Sequence, residues 1–316
     1  MRIVVTGGAG FIGSHVVDHY IDAGHEVLVL DNLSSGRKEN VHPKAELVVV
    51  DLCDHAGVAD VLGQFCPHLI NHHAAQIDLR RSVAEPVFDA NVNVVGSVNL
   101  LQNAVRTGVQ GMLYASTGGA MYGEVQEPAT EQAEKRPFSP YGAAKVAVEG
   151  YLFAFARTLG LQAVSLRYGN VYGPRQNPEG EAGVVAIFSQ AMLSDDRPRI
   201  YGTGDQLRDY IYVEDVARAN LLATDFLLAG HPPPETPDDR AFNIGTGKST
   251  SVKALFAQLR KIIGFSEEPI YTDPRAGELL ESRLDVIKAS HELGFEALES
   301  FPDGLARTVE WIRAEQ

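Results

Sequence analysis

Short apolar runs recur along the first 245 positions, and stretches with helical spacing separate most of them. The runs lie at Ile3 to Val5, Val27 to Leu30, Leu47 to Val50, His68 to Asn71, Met112 to Ala115, Ala163 to Leu166 and Ala241 to Ile244. Such short runs, with little alternation, suit strands buried on both faces of a parallel sheet. Helical spacing covers Val92 to Val105 and Tyr141 to Thr158. The second of these opens on Ser139-Pro140, and Pro suits the first helical position while Ser caps it. Alternation of this kind predicts an α/β fold, a Rossmann-type doubly wound parallel sheet with helices on both faces.

The pattern changes after about residue 172. Pro174, Pro178, Gly180 and Gly183 mark one loop region, and Pro232 to Pro237 with Asp238 and Asp239 mark another. Helices are predicted over Ala182 to Leu193 and Val252 to Ile263, and the last sixty or so residues mix short elements with loops. The expected organisation is residues 1–172 plus about 205–245 as a dinucleotide-binding domain. Residues 173–204 plus 246–316 would form a smaller α+β lobe, built from separated segments, at the carboxyl edge of the sheet.

Composition narrows the functional classes. The 316 residues carry 41 acidic and 27 basic side chains, a formal charge of −14, which disfavours nucleic acid and anionic membranes as partners. A small anionic substrate stays open, because a few arginines suffice to line a pocket. No apolar run approaches the ~20 residues that cross a bilayer. The opening Met-Arg-Ile-Val-Val-Thr-Gly-Gly is a strand entering a turn and lacks the pattern of a secretory leader. The two cysteines, Cys53 and Cys66, have no Cys or His at metal spacing nearby, so neither a disulfide framework nor a metal site is expected, and a cytoplasmic location is.

The most specific chemistry lies in the first thirty residues. Gly8-x-Gly10-x-x-Gly13 follows a strand and opens a helix, with Gly7 just before it and Asp31 ending the next strand. Glycines there permit a tight turn, approach of the backbone to a pyrophosphate, and close helix–strand packing. The helix N-terminus offers free amides to phosphate. Asp31 is placed to accept hydrogen bonds from an adenosine ribose and would repel a 2′-phosphate, which favours NAD over NADP, with Arg37 and Lys38 read as ordinary loop charges. Other strand ends bring Asp51 and Leu52 towards an adenine, Ala74 and Ala75 beneath a passing cofactor, then Ser116 and Thr117, then Tyr168 to Tyr172. Tyr141 and Lys145 stand one helical turn apart on one face. An ammonium beside a phenol lowers a pKa of ~10, making Tyr141 a candidate proton acceptor.

The ordered set TGGAGFIGSH, Asp31, Asp51, HHAAQ, Asn91, STGGAMYGE, SPYGAAK, LRYGNVYGPRQ, RDYIYVEDVA and FNIGTG resembles the extended short-chain dehydrogenase/reductase superfamily over nearly the whole chain. Within it, the chain is most similar to the UDP-glucose 4-epimerases. That resemblance implies a tightly held NAD, regenerated each cycle, contacted by Gly7, Gly10, Phe11, Ile12, Gly13, Asp31, Asn32, Asp51 and Leu52. Ala74, Ala75, Asn91, Tyr141, Lys145 and Tyr168 complete the implied cofactor set. It implies Tyr141 as the base and a nearby hydroxyl as relay. Three consecutive serines are common in that loop, and here the third position falls on Gly118, which leaves Thr117 or Ser116. A UDP-sugar would be held by Asn170, Val184, Val185, Tyr201, Arg208, Arg275 and Glu278. Ser282 aligns with a gate position where a small side chain admits N-acetylated sugars. Similar enzymes dimerise through two helices that correspond to Val92 to Leu101 and Tyr151 to Phe155, so a homodimer is expected.

Three other readings compete. Nucleotide-sugar 4,6-dehydratases usually carry Asp-Glu where this chain has Gly118 and Gly119. A UDP-glucuronate decarboxylase would want an added basic group for the carboxylate. A non-catalytic NAD-binding regulator would commonly lack the Tyr or the Lys, and both are present.

Overall fold

A computed structural model describes residues 1–178, 183–275 and 279–315. Strands β1 (Arg2–Thr6), β2 (Glu26–Asp31), β3 (Glu46–Val49), β4 (Leu69–His72), β5 (Gly111–Thr117) and β6 (Gln162–Tyr168) form most of one sheet. Four short strands, β7 (Asn170–Tyr172), β8 (Arg199–Tyr201), β9 (Leu207–Arg208) and β10 (Tyr210–Tyr212), precede its last member, β11 (Ala241–Ile244). The sheet runs β11-β6-β5-β4-β1-β2-β3 with every pairing parallel. All seven apolar runs of the sequence therefore fall in it.

Helices cover both faces. On one, α1 (Phe11–Asp22) and α9 (Val213–Leu228) pack on Ile3, Val5, Val29 and Leu166. On the other, α2 (His55–Phe65), α5 (Gly96–Arg106) and α7 (Pro140–Leu159) close over Val4, Leu28, Ile70 and Met112. The alternate residues of β1 thus feed two separate cores, as a strand with a side-chain period of two requires. Helix α7 begins as the sequence suggested, with the Ser139 hydroxyl accepting from Gly142 N at 3.1 Å and Pro140 at the first position.

The helix expected over Val92 to Val105 is different. It begins earlier, as α3 (Leu79–Ala84) and α4 (Pro86–Ala90), passes through a π turn at Asn91–Val95, and only then becomes α5. A π turn inserts an extra residue into the helical repeat, so the face presented on either side of it slips. Hydrophobic spacing reports neither the turn nor its consequence.

The second lobe has its own core. Helices α8 (Val184–Leu193), α10 (Val252–Ile263) and α12 (Phe301–Ala314) bury Val185, Phe188, Leu255, Leu259, Leu305 and Val309 together with Tyr172 and Tyr212. Short strands stitch it: β7 with β10, β8 with β13 (Ile270–Thr272), and β9 between β12 (Thr250–Ser251) and β14 (Glu281–Ser282). Near the end the chain returns to the first lobe. Ala289 and Leu293 of α11 (Ile287–Leu293), with Phe295, join the core under β6 and β11. No helix of the described residues is long and apolar enough to cross a membrane.

Candidate active site

Strand order reverses between β2–β1 and β1–β4, so a crevice opens at their carboxyl ends, the usual place for a dinucleotide in an open α/β sheet. The glycine turn forms one wall. Gly7 has φ +69°, and a Cβ there would lie 2.6 Å from Ala74 N. A Cβ on Gly13 would lie 2.2 Å from Gly7 O. Only glycine lets the turn nest against both α1 and the residue after β4, and these positions leave the backbone bare for a pyrophosphate. Gly10 N bonds Gly7 O at 3.0 Å, and Phe11 and Ile12 begin α1. Asp31 ends β2 and is 7% exposed, with Oδ2 accepting from Ala9 N (3.0 Å) and Oδ1 from Leu33 N (2.8 Å). Each oxygen retains a lone pair for a ribose hydroxyl.

The adenine end is also assembled. Asn32 Nδ2 donates to Asp51 Oδ2 (2.8 Å), and Cys53 N donates to Asp51 Oδ1 (2.8 Å). The Cys53 amide, opposed by partial burial and aided by Asn32, holds the Asp51 carboxyl below its ordinary value. Leu52 is buried, its carbonyl accepting from Asn99 Nδ2 at 2.8 Å. The bare glycine cradle, the held Asp31 and this second acid together fit NAD.

A chain of hydrogen bonds beneath the crevice fixes its floor. Ser97 Oγ donates to Asn93 O (2.6 Å), a carbonyl that only accepts, so His72 Nε2 carries a proton and donates to Ser97 Oγ (2.8 Å). His72 Nδ1, in the neutral ring, then accepts from Thr6 Oγ1 (2.7 Å), whose oxygen also accepts from Ala74 N (3.2 Å). Burial, then the Lys145 charge, push His72 well below its ordinary value, which agrees with the single neutral tautomer. Asn93 and Asp89 grip Gln76. Asn93 Oδ1 accepts from Gln76 N (2.8 Å), while Asp89 Oδ1 accepts from Gln76 Nε2 (2.9 Å) and Asn93 Nδ2 (3.0 Å).

Asn93 and Asn91 differ sharply in placement. Asn91 is exposed, its carbonyl engaged by Gly96 N and by the Cys53 thiol at 3.5 Å. Asn93 is 2% exposed and faces the residues after β4. Residues two apart on a helix point roughly 200° apart, so the two asparagines cannot share one face. The two-residue spacing in the sequence signals that choice without saying which way it falls.

Tyr141 and Lys145 are brought together as their spacing requires, with Nζ 5.7 Å from the Tyr141 ring centroid. Lys145 is 3% exposed; Nζ donates to Ala115 O (2.7 Å) and lies 4.7 Å from the Tyr114 centroid. Burial pushes this lysine down to about 8, against the pull of Asp89 and Glu149. The expected depression of the phenol is not what the protein alone produces. Burial, and after it Asp89, push Tyr141 above its ordinary value, while the Lys145 ammonium donates to the Ala115 carbonyl.

The two candidate hydroxyls stand next in line on β5. Ser116 is 4% exposed, and its Oγ has no hydrogen-bond partner among the described residues. Thr117 ends the strand and caps the short α6 (Gly118–Met121), its Oγ1 accepting from Ala120 N at 3.2 Å. An oxygen already used as acceptor leaves the hydroxyl proton to point elsewhere. Tyr168, opposite Thr117 on β6, holds His73 Nε2 at 3.1 Å and Asn220 Nδ2 at 2.9 Å.

Across the crevice, Asn170 N bonds Asp209 O (2.7 Å), and Asn170 Oδ1 would lie 3.6 Å from a Cβ on Gly119. Arg208 on β9 is in register with Ser282 on β14, which is 6% exposed. The Arg275 guanidinium lies over the Tyr201 ring at 3.9 Å and holds that phenol below its ordinary value. Val184 and Val185 begin α8, Val185 with its side chain in the second core. Glu278 lies outside the described residues.

This architecture and site define a class, and the chain belongs to it: the NAD dependent epimerase/dehydratase family, whose Epimerase pattern matches residues 3–245. The chain is 44% identical over 319 residues to the UDP-glucose 4-epimerase of Mycolicibacterium smegmatis, covering 99% of each. Among solved structures it is similar to the UDP-glucose 4-epimerase of Thermotoga maritima with UDP-glucose, at TM-score 0.94 and 46% identity, covering 100% of this chain and 99% of that one. The Thermus thermophilus UDP-glucose 4-epimerase in complex with NAD gives TM-score 0.92 at 41% identity, covering 100% of both chains.

Proposed function

We propose that this chain is an NAD-dependent UDP-hexose 4-epimerase, interconverting UDP-glucose and UDP-galactose through a transient 4-keto sugar. The observation that carries the reading is Tyr141 beside a buried Lys145 at the carboxyl end of β5, next to Ser116 and Thr117. Bound NAD supplies the two-electron oxidation at C4 and its reversal, and its oxidised ring carries a positive charge that favours a phenolate.

Tyr141 takes the proton of the C4 hydroxyl and gives it back. Burial and then Asp89 push this phenol up, and positive charge beside it, from Lys145 and from the oxidised cofactor ring, favours the phenolate that takes the proton. Thr117, its oxygen already accepting from Ala120 N, donates a hydrogen bond to the reacting oxygen and orients it. Glycine turn, Asp31 and Asp51 hold the cofactor; Lys145 fixes its nicotinamide ribose. Arg208 and Arg275 grip the diphosphate, with Tyr201 as the platform under Arg275. Asn170, Val184 and Val185 line the nucleotide, Glu278 meets the uridine ribose, and Ser282 leaves room for N-acetylated hexoses. In this reading residues 173–204 and 246–316 are the nucleotide-sugar lobe, except that α11 and Phe295 pack back into the core of the first lobe.

Elimination of water, as in a dehydratase, is disfavoured by packing as well as by composition. A Cβ on Gly118 would lie 2.6 Å from Leu284 Cδ2, so an acid at the first such place would have to displace the Leu284 side chain. A homodimer fits the exposed Val87, Val95 and Tyr151, an apolar strip on α4, the π turn and α7, which pack together. The reading also takes the enzyme to be cytoplasmic. Incubation with UDP-glucose, UDP-galactose and their N-acetyl counterparts, followed by chromatography, tests it. Epimers should form from at least the first pair; tight NAD binding with no conversion of any of the four would support the non-catalytic alternative.

A further inference from the structure

Ser282 and Arg208 can act on a substrate only if the strand carrying Ser282 stands at a fixed distance from the catalytic loop. A side-chain contact helps to set that distance. Glu124, seven residues past Thr117, directs both carboxylate oxygens at the backbone of the substrate lobe: Oε2 accepts from Leu280 N and Oε1 from Glu281 N, each at 2.9 Å. These are the two amides immediately before Ser282. The same segment is held on its other side by β9, with Leu207 N donating to Leu280 O (2.8 Å) and Asp209 N to Ser282 O (3.2 Å). Further along, Ala129 N bonds Arg283 O and Asp285 N bonds Ala129 O, each at 2.9 Å, and Leu284 packs against Gly118. Residues 280–285 are therefore held between the loop that follows β5 and the strand that bears Arg208.

We propose that Glu124 is a positioning residue for the UDP-hexose: its carboxylate latches the Leu280–Glu281 backbone to the catalytic loop and so sets Ser282 and Arg208 against Tyr141. The inference rests on the epimerase reading and names which contact couples its two halves. Two properties single the contact out. A carboxylate accepting two consecutive amides forms a charge-assisted pair that a neutral side chain cannot reproduce. It is also side chain to backbone, so the identity of residues 280 and 281 does not matter to it, while the identity of residue 124 does. Glu124 touches neither cofactor wall nor Lys145, so loss of the latch loosens sugar binding and leaves the cofactor in place.

The test compares wild type, Glu124→Gln and Glu124→Ala. Gln keeps one acceptor and turns a donor towards the other amide; Ala keeps none. UDP-glucose dissociation constant and KM should rise in that order, reaching about tenfold in Glu124→Ala, the equivalent of ~1.4 kcal/mol. NAD affinity should stay at the wild-type value and kcat should fall by less than KM rises. Hydrogen–deuterium exchange of the peptide spanning residues 279–284 should quicken in both variants, and this readout needs no assumption about the substrate. Unchanged UDP-glucose affinity in Glu124→Ala would overturn the proposal, as would loss of NAD and UDP-glucose binding in parallel, which marks a general structural role. Wild type that fails to bind UDP-glucose, while exchange still depends on Glu124, would overturn the epimerase reading and leave a latch for another ligand.

Discussion

Replacing Arg167 with Met tests whether the catalytic helix is braced from behind by a buried ion pair. The Arg167 side chain is 0% exposed and uses all three nitrogens. Nε reaches both Glu149 oxygens (3.0 and 3.2 Å), Nη2 reaches Glu149 Oε2 (2.5 Å) and Asp238 Oδ1 (2.7 Å), and Nη1 reaches Tyr122 OH (2.9 Å) and Glu131 O (2.8 Å). Glu149 lies one turn beyond Lys145 on α7 and is 4% exposed. Asp238 keeps Lys135 at 2.6 Å and Tyr122 keeps Asn243 at 2.8 Å when the arginine is removed, but Glu149 is left as a buried charge. Breaking one side of such a pair costs about 3–5 kcal/mol. At ~2–4 °C per kcal/mol for a large domain, the melting temperature should fall by roughly 6–20 °C. Denaturation in urea and a thermal scan, both at neutral pH, read the effect. Arg167→Met with Glu149→Leu removes the orphaned charge and should recover most of the loss, because replacing both partners with apolar groups is often close to neutral. A loss under ~1 kcal/mol in the single variant, or a double variant less stable than the single, would refute the reasoning.

Gly7→Ala should abolish NAD binding in a calorimetric titration while the chain stays folded by circular dichroism, since its Cβ meets the Ala74 backbone at 2.6 Å and φ is +69°. Thr117→Val should lower kcat about a hundredfold, the lower end of what positioned proton transfer contributes, and at least tenfold more than Ser116→Ala; the reverse ranking would move the relay to Ser116. Lys145 gives opposite pH trends for activity and stability. Its folded value, near 8, lies below the ordinary 10.5, so kcat/KM should fall as pH rises through about 8. The unfolded chain holds the extra proton between those values, so this group's unfavourable contribution to stability is full below about 8 and relieved as pH rises towards 10.5. A urea midpoint that tracked activity downward over that range, after correction with Lys145→Met, would contradict the assignment.

Most of the sheet and the cofactor crevice was legible because both are written in local patterns. All seven apolar runs became sheet strands, and the glycines at 7, 10 and 13 stand where a Cβ would strike backbone at 2.2 to 3.1 Å. The helix falls at Val252 to Ile263 as its spacing suggested, capped by Ser251 and closed by Gly264 at φ +82°. What the sequence hid depends on geometry between distant segments. The π turn at Asn91–Val95 breaks the helical repeat, and Asn93, not Asn91, enters the interior. Arg167, Glu149 and Glu124 look like surface charges because their partners lie 18 to 157 residues away. The phenol of Tyr141 illustrates the same limit. Its neighbour at i+4 is a cation, but the Lys145 proton goes to a carbonyl 30 residues distant, and burial then decides the direction of the shift.

The fate of deuterium at C4 is the most direct measurement of the proposed chemistry. UDP-glucose labelled at C4 is incubated with the enzyme in ordinary water, without added reductant, and the product is separated and examined by NMR. The expected product is UDP-galactose that keeps the deuterium at C4, because the carbon is oxidised and reduced again within one closed site. Protium at C4 of the product, or deuterium released to solvent, would contradict a transient 4-keto sugar formed and consumed at Tyr141.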